Sequence, residues 1–181
     1  MTRIKVLSRE EMNDDQRAAF DAAKAAGAPT GGPYTAYIRM PKLMRLTREV
    51  SDTLRASALT GRERQMAVLI AIRHWDARYP WAVQVRASLA AGLDQATIDA
   101  INARKPPKLT DPREMAVYDV ATELLTNHRL KDATYAAADK LFGTDTLVAL
   151  VAAVGYFSMV SCTANAFDVT PPDDAPARLA G

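Results

Sequence analysis

The chain has 181 residues, of which 49% are hydrophobic and 24% are charged. This length and composition predict a single globular domain spanning residues 1–181, large enough to fold without disulfides or a structural metal. Lysine and arginine outnumber aspartate and glutamate by only 23 to 21, and the basic residues are dispersed along the chain. We therefore expect no nucleic-acid partner.

One cysteine, Cys162, excludes an intramolecular disulfide framework, a four-cysteine zinc site and a CxxC redox pair. The chain contains no run of 18 consecutive apolar residues, and its first twelve residues lack the apolar core of a signal peptide. We therefore expect no membrane partner and a reducing, cytoplasmic location.

Abundant alanine, only 8 glycines and the absence of alternating strand patterns predict an all-α fold. The first 33 residues suit an N-terminal arm followed by one helix. Residues 4–7 suit an extended segment, and Ser8 with Glu11 has the capping-box spacing for a helix over residues 9–26. Glycines and prolines between residues 27 and 33 then predict a loop.

Residues 34–40 predict a short helix that ends before Pro41, and residues 42–57 predict a longer one. Apolar side chains recur in this longer helix at spacings of three or four residues. That pattern predicts a buried face made of Leu43, Leu46, Val50 and Leu54.

The central part of the chain predicts two consecutive helices, residues 62–75 and 80–91, joined by a turn. Thr60 and Glu63 have the capping-box spacing before the first helix, and Gly92 suits the end of the second. The first helix contains the segment MAVLIAI, which is apolar nearly all round. We therefore expect this helix to be buried on most sides.

The remaining chain predicts a proline-rich connector over residues 103–112 and an extended tail over residues 165–181. Four further helices are predicted in this half: residues 95–102 capped by Asp94, residues 114–126, residues 134–142 capped by Asp132 and stopped by Gly143, and residues 146–164 capped by Thr144 or Asp145.

Residues 59–93 read LTGRERQMAVLIAIRHWDARYPWAVQVRASLAAGL. This segment resembles the central hairpin of the carboxymuconolactone decarboxylase-like family, which includes the alkyl hydroperoxidase D-like (AhpD-like) proteins. GGPYTAYIRMPKLMRL is similar to the family's entry segment, and ALVAAVGYFSMVSCTANAFDVTPP is similar to its last helix and tail. The resemblance covers residues 30–172 and implies an AhpD-like bundle of helical hairpins. It also implies a homo-oligomer with a pocket near a subunit boundary.

The chain departs from this family at the positions that usually carry chemistry. Gln65 stands at the family's glutamate position, and Gln84, 19 residues later, stands at its histidine position. The family's Tyr-Glu-Trp turn reads Tyr79-Pro80-Trp81, and its cysteine positions hold no cysteine. Because glutamine cannot carry a proton near neutral pH, two amides facing one pocket suit hydrogen bonding to a carbonyl or carboxylate.

The candidate catalytic residues are Gln65, Tyr79, Gln84 and His74. The alternative for Gln65 is a structural hydrogen bond, and for Gln84 an ordinary exposed position. Tyr79 could donate a hydrogen bond or act as a weak acid, or it could serve in packing. His74 could be a displaced acid–base group, or a cation placed favourably near a helix C-terminus.

The candidate substrate-binding residues are Arg39, Arg73, Trp81 and Tyr34. Either arginine could hold a carboxylate through a bidentate contact, and the alternative for Arg39 is a surface charge. Trp81 could equally serve in core packing. Cys162, in the apolar last helix, is expected to behave as a small hydrophobic residue rather than a nucleophile.

The resemblance implies a lyase or isomerase that acts on a small carboxylated or lactone-type substrate with no metal and no organic cofactor. The alternative is a non-catalytic binding or accessory relative that kept the pocket and lost its reactive groups. A hydroperoxide reductase is disfavoured, because that activity needs a reactive thiolate.

Overall fold

The computed structural model describes residues 2–180, which form α-helices and short turns with no β-strand. The α-helices in this range are α1 (Asp14–Ala25), α2 (Tyr34–Tyr37), α3 (Pro41–Arg55), α4 (Gly61–His74), α5 (Arg78–Ala90), α6 (Gln95–Asn102), α7 (Pro112–Asn127), α8 (Asp132–Phe142) and α9 (Thr144–Ala166). The all-α prediction is confirmed.

Helix α4 is the centre of the bundle, and it packs against α5, α6, α7 and α9. The Thr60 hydroxyl accepts a hydrogen bond from the Glu63 backbone N–H at 3.2 Å, and the Glu63 carboxylate accepts one from the Thr60 N–H at 2.8 Å. The capping box predicted here is therefore formed. The MAVLIAI segment is buried along its whole length, as its apolar character predicts.

Glu63 is buried at the start of α4 and accepts two hydrogen bonds from the Arg113 guanidinium of α7, at 2.5 and 3.2 Å. The neighbouring Arg62 makes the same kind of bidentate contact with Glu114, at 2.6 and 3.3 Å. These two pairs join the N-terminal ends of α4 and α7 with charges that neutralise one another.

The start of α1 differs from the prediction. The box formed by Ser8 and Glu11 closes only a short 3-10 turn, and the helix begins at Asp14 with Asn13 as its cap. Asn13 and Gln16 have the same three-residue spacing as Ser8 and Glu11, so the sequence contains two competing caps. The second cap carries the longer helix.

Other helix starts also differ from the prediction. Gly143 is the N-cap of α9, so neither Thr144 nor Asp145 caps it, because α8 and α9 meet at this single glycine. Asp132 is the first residue of α8 rather than its cap. Helix α5 begins at Arg78, which places Tyr79 in the helix rather than in the turn before it.

The predicted buried face of α3 is wrong at two positions. Leu46 and Val50 are 46% and 44% exposed, and the fully buried side chains of α3 are Met44, Thr47 and Leu54. The helix is rotated about its axis relative to the apolar pattern. Apolar side chains are thereby left on the surface of α3.

Helix α9 has the length and hydropathy to cross a membrane, a property that it shares with the core helices of many globular proteins. It packs against α4, α5, α7 and α8, and Val148 and Met159 lie on its exposed side. After α9 the tail crosses α6, where the Asn102 side chain bonds the backbone of Arg178 and Ala180.

Candidate functional site

Two adjoining cavities lie between α3, α4, α5, α9 and the loop at residues 27–33, and together we call them the cleft. The tyrosine lobe has a volume of about 130 Å³ and the glutamine lobe about 150 Å³. The residues common to both lobes are Ser51, Arg55, Gln84 and Phe157.

Three tyrosines line the first lobe: Tyr34 from α2, Tyr79 from α5 and Tyr156 from α9. The hydroxyls of Tyr34 and Tyr156 lie 3.1 Å apart in a hydrogen bond. Burial raises the pKa of Tyr79, and burial together with the Tyr34 hydroxyl raises the pKa of Tyr156 far above its usual value. Both side chains therefore stay protonated at neutral pH and serve as hydrogen-bond donors.

Tyr79 is held by a very close approach to the glycine-rich loop. Gly32 has a φ of +63°, and a Cβ atom built at this position would lie 2.1 Å from Cε1 of the Tyr79 ring. Only glycine combines this backbone conformation with room for the ring. The loop thereby closes one wall of the tyrosine lobe.

Gln65 and Gln84 both line the glutamine lobe. The fully buried Ser88 hydroxyl lies 3.2 Å from Oε1 of Gln65 and 2.8 Å from the main-chain carbonyl oxygen of Gln84, one turn earlier in α5. Gln65 on α4 and Gln84 on α5 stand at the family's glutamate and histidine positions. Both residues line the same cavity.

The cleft carries more positive than negative charge. Arg48 and Arg55 line the tyrosine lobe, and Arg64 lines the glutamine lobe with Arg55. Within residues 2–180, the one carboxylate that lines either lobe is Asp52, whose Oδ1 accepts a hydrogen bond from Arg55 at 2.7 Å. Burial, followed by the charge of Arg55, lowers the pKa of Arg64. This lining favours an anionic ligand.

Arg48, which lines the tyrosine lobe, has little compensation for its charge. Its Nε is buried and has no hydrogen-bond partner within residues 2–180, and in that range its guanidinium forms no ion pair with a carboxylate. A buried guanidinium N–H without an acceptor is costly. In the tyrosine lobe the Arg48 guanidinium can pair with an anionic ligand.

His74 and Arg73 do not belong to the cleft, and instead line a separate cavity beside α7. Gln65 and His74 are nine positions apart on α4, which is about two and a half helical turns and puts them on opposite faces. Arg73 is buried, bonds the Asn102 carbonyl oxygen at 2.7 Å and pairs with Asp76. The assignment of both residues to one pocket with the glutamines is wrong.

Arg39 and Trp81 also lie outside the cleft. Arg39 is exposed and donates a hydrogen bond to the Lys5 carbonyl oxygen at 2.7 Å, which fixes the N-terminal arm. Trp81 is fully buried in the main hydrophobic core, so core packing is its role. Cys162 is exposed on α9, contrary to the expectation of a buried thiol, and lines neither lobe.

Helix α3 contributes four residues to the cleft that the sequence patterns did not indicate. Arg48, Ser51, Asp52 and Arg55 recur at spacings of three and four residues, which places them on one face of this helix. A polar stripe at this spacing is the available signal, but it also matches an ordinary solvent-facing stripe. Tyr156 was missed because it lies among the apolar residues of α9.

No family model matches the chain, and no curated protein is similar to it. Two solved structures are similar over nearly the whole length. The AhpD core of an uncharacterized peroxidase-related protein from Ralstonia eutropha JMP134 has 19% identity and a TM-score of 0.75, covering 96% of this chain and 93% of that one. An uncharacterized peroxidase-related protein from Silicibacter sp. TM1040 has 16% identity and a TM-score of 0.78, covering 99% of this chain and 96% of that one. The chain therefore has the AhpD-like fold, as the resemblance implies.

Proposed function

We propose that the cleft binds a small molecule with a carboxylate beside a carbonyl or lactone group, and that the protein is a cofactor-independent isomerase or lyase. The observation that carries the proposal is the lining of the tyrosine lobe, where two arginines, Arg48 and Arg55, share one cavity with three tyrosines. A guanidinium binds a carboxylate through parallel hydrogen bonds, and neutral hydroxyls stabilise an oxyanion.

In this proposal Arg48 holds the substrate carboxylate, and Tyr79 with the Tyr34–Tyr156 pair stabilises the enolate that forms when a proton leaves the neighbouring carbon. Asp52 takes that proton, because it is the carboxylate that lines the tyrosine lobe and only its Oδ1 bonds Arg55. A carboxylate can abstract such a proton when hydrogen-bond donors stabilise the oxyanion. Gln84 contributes an amide donor from the shared wall of the two lobes.

These assignments replace two sequence-based hypotheses. Arg48 takes the carboxylate-binding role first given to Arg39 or Arg73, and Asp52 takes the proton-transfer role first given to His74 or Tyr79. The residues that lie in the cleft support the replacement, since Arg39, Arg73 and His74 line neither lobe.

The two solved relatives are described as peroxidase-related, which makes peroxide reduction the competing activity. That reaction needs a thiolate nucleophile, and the single cysteine of this chain lies outside both lobes. The isomerase or lyase proposal uses groups that do line the cleft.

Asp52→Asn is expected to lower kcat at least about a hundredfold on an unsaturated five-membered lactone that carries a carboxylate, because the proton acceptor is lost. Binding of the lactone, measured by calorimetry, should change little. Asp14→Asn, at an exposed aspartate on α1, is the matched control and should retain full activity.

Two outcomes would contradict this proposal. Wild-type protein that binds such lactones and never converts them is a binding relative rather than an enzyme. Peroxide turnover with a thiol reductant that disappears in Cys162→Ser would instead assign the chain to the peroxidases.

We also propose that the chain forms a homo-oligomer through the apolar residues that α3 and α9 leave exposed, Leu46, Val50, Val148 and Met159 among them. Large apolar side chains left exposed to water favour burial against another copy. Val148→Glu is expected to lower the mass measured by light scattering, and Val6→Glu, at an equally exposed valine of the N-terminal arm, should leave it unchanged. A monomeric wild-type protein would contradict this proposal.

A further inference from the structure

The cavity that contains His74 has a distinct composition, and we call it the α7 cavity. It has a volume of about 190 Å³ and lies between α4, the end of α6 and α7. Its apolar wall includes Ile70, Ile101 and Leu125, of which Ile70 and Ile101 are buried. No lining residue is shared with either lobe of the cleft.

Basic residues surround this apolar wall. Arg73, Arg104 and Lys105 line the α7 cavity with His74, and no aspartate or glutamate of the described part of the chain lines it. Asp76 lies outside the cavity and pairs with both Arg73 and Arg104. Lys105 forms no ion pair within residues 2–180, so its charge is uncompensated there.

Arg104, which lines the α7 cavity, has an unusual backbone conformation. Arg104 has a φ of +55° and Asp76 a φ of +48°, and each directly follows the last capping residue of a helix, where glycine is usual. Both are strained conformations that glycine would adopt without that strain. Their side chains meet at 2.7 Å, and this contact fixes the Arg104 guanidinium beside the cavity.

We propose that the α7 cavity is a second binding site, for a small anion with an apolar body such as an aromatic carboxylate. The apolar wall accepts the ring, and Lys105, whose charge no carboxylate within residues 2–180 offsets, binds the carboxylate with help from Arg104, which Asp76 holds in place. Burial, followed by the charges of Arg104 and His128, lowers the pKa of His74. The neutral imidazole can then donate one hydrogen bond to the anion.

Benzoate, a ring with one carboxylate, is the probe. In a titration followed by NMR, it is expected to shift the backbone amide signals of Ile70, Ile101 and Leu125 to saturation. Lys105→Glu should weaken this binding at least about tenfold, because an attractive charge becomes repulsive. Lys108→Glu is the matched control, since Lys108 is exposed on the same connector and does not line the cavity.

Loss of affinity in Lys105→Glu with less than a twofold change in Lys108→Glu supports the second site. Equal effects of the two variants, or the absence of saturable shifts at the three amides, would overturn it. Benzoate that shifts only residues of the cleft, such as Tyr79 and Gln84, would overturn this inference and leave the proposed function intact. Both variants keep the melting temperature near that of wild type, because both lysines are exposed.

Discussion

Replacing Arg113 with alanine is expected to lower the free energy of unfolding by about 3 kcal/mol at neutral pH. Arg113 donates two hydrogen bonds to Glu63, whose side chain is only 4% exposed, and its guanidinium also lies 4.4 Å from the centre of the Phe142 ring. Without Arg113 the Glu63 carboxylate is left buried without its cation. Urea denaturation of the wild type and the variant measures the difference.

The loss in Arg113→Ala should depend on pH. In the wild type, burial acts to raise the pKa of Glu63, but the hydrogen bonds from Arg113 and Thr60 outweigh it and the pKa is lowered. The stabilisation is therefore complete above the unfolded pKa of about 4.3 and is lost as pH falls through the folded pKa. In the variant, burial raises the pKa of Glu63 relative to wild type, so acidification relieves the cost. The two proteins should converge in stability as the pH falls through the folded-state pKa of Glu63 in the wild type.

Arg45→Ala is the matched control for this prediction. Arg45 forms an ion pair with Asp15 at 2.9 Å, but both side chains are largely exposed. Such an exposed pair contributes about 0–1 kcal/mol to the free energy of unfolding. If Arg113→Ala costs no more than Arg45→Ala at neutral pH, the buried pair does not stabilise the junction of α4 and α7.

Replacing Gly32 with alanine is expected to lower the free energy of unfolding by roughly 2 kcal/mol more than replacing Gly27 with alanine. Both glycines have a φ of +63°, so the strain of placing alanine in the left-handed conformation is common to both. They differ in their surroundings. A Cβ at Gly32 would overlap the Tyr79 ring, whereas nothing lies within 4 Å of a Cβ at Gly27.

A double-mutant cycle with Tyr79→Ala isolates the ring contact. In the Tyr79→Ala background the two glycine replacements should cost the same, since the overlapping ring is gone. Thermal or urea unfolding of the variants measures this. Equal costs in the wild-type background would mean that the loop at residues 27–33 does not hold Tyr79 against the tyrosine lobe.

The sequence predicts the position of α4 well because local signals and packing agree there. Thr60 and Glu63 form the cap that their spacing indicates, and the apolar segment after them is buried on nearly all sides. On α3 the signals conflict. Leu46 and Val50 match a buried face, but tertiary packing selects Met44 and Leu54 and leaves the other two exposed.

The site is harder to predict because its residues come from different helices. Gln65 and Gln84 could be placed by the resemblance, and they do line one cavity. Arg48 could not, since an arginine on a polar stripe of α3 resembles an ordinary surface residue. The hydrogen bond between Tyr34 and Tyr156 joins residues 122 positions apart, and no local pattern encodes such a contact.

The central claim is that Arg48 binds a ligand carboxylate in the cleft. The most direct test is calorimetric titration with an unsaturated lactone carboxylate and with its methyl ester, which has the same ring and no charge. Wild type and Arg45→Ala should bind the acid at least about tenfold more tightly than the ester, and Arg48→Ala should lose most of this preference. An Arg48→Ala protein that still prefers the acid as strongly as wild type would contradict the claim.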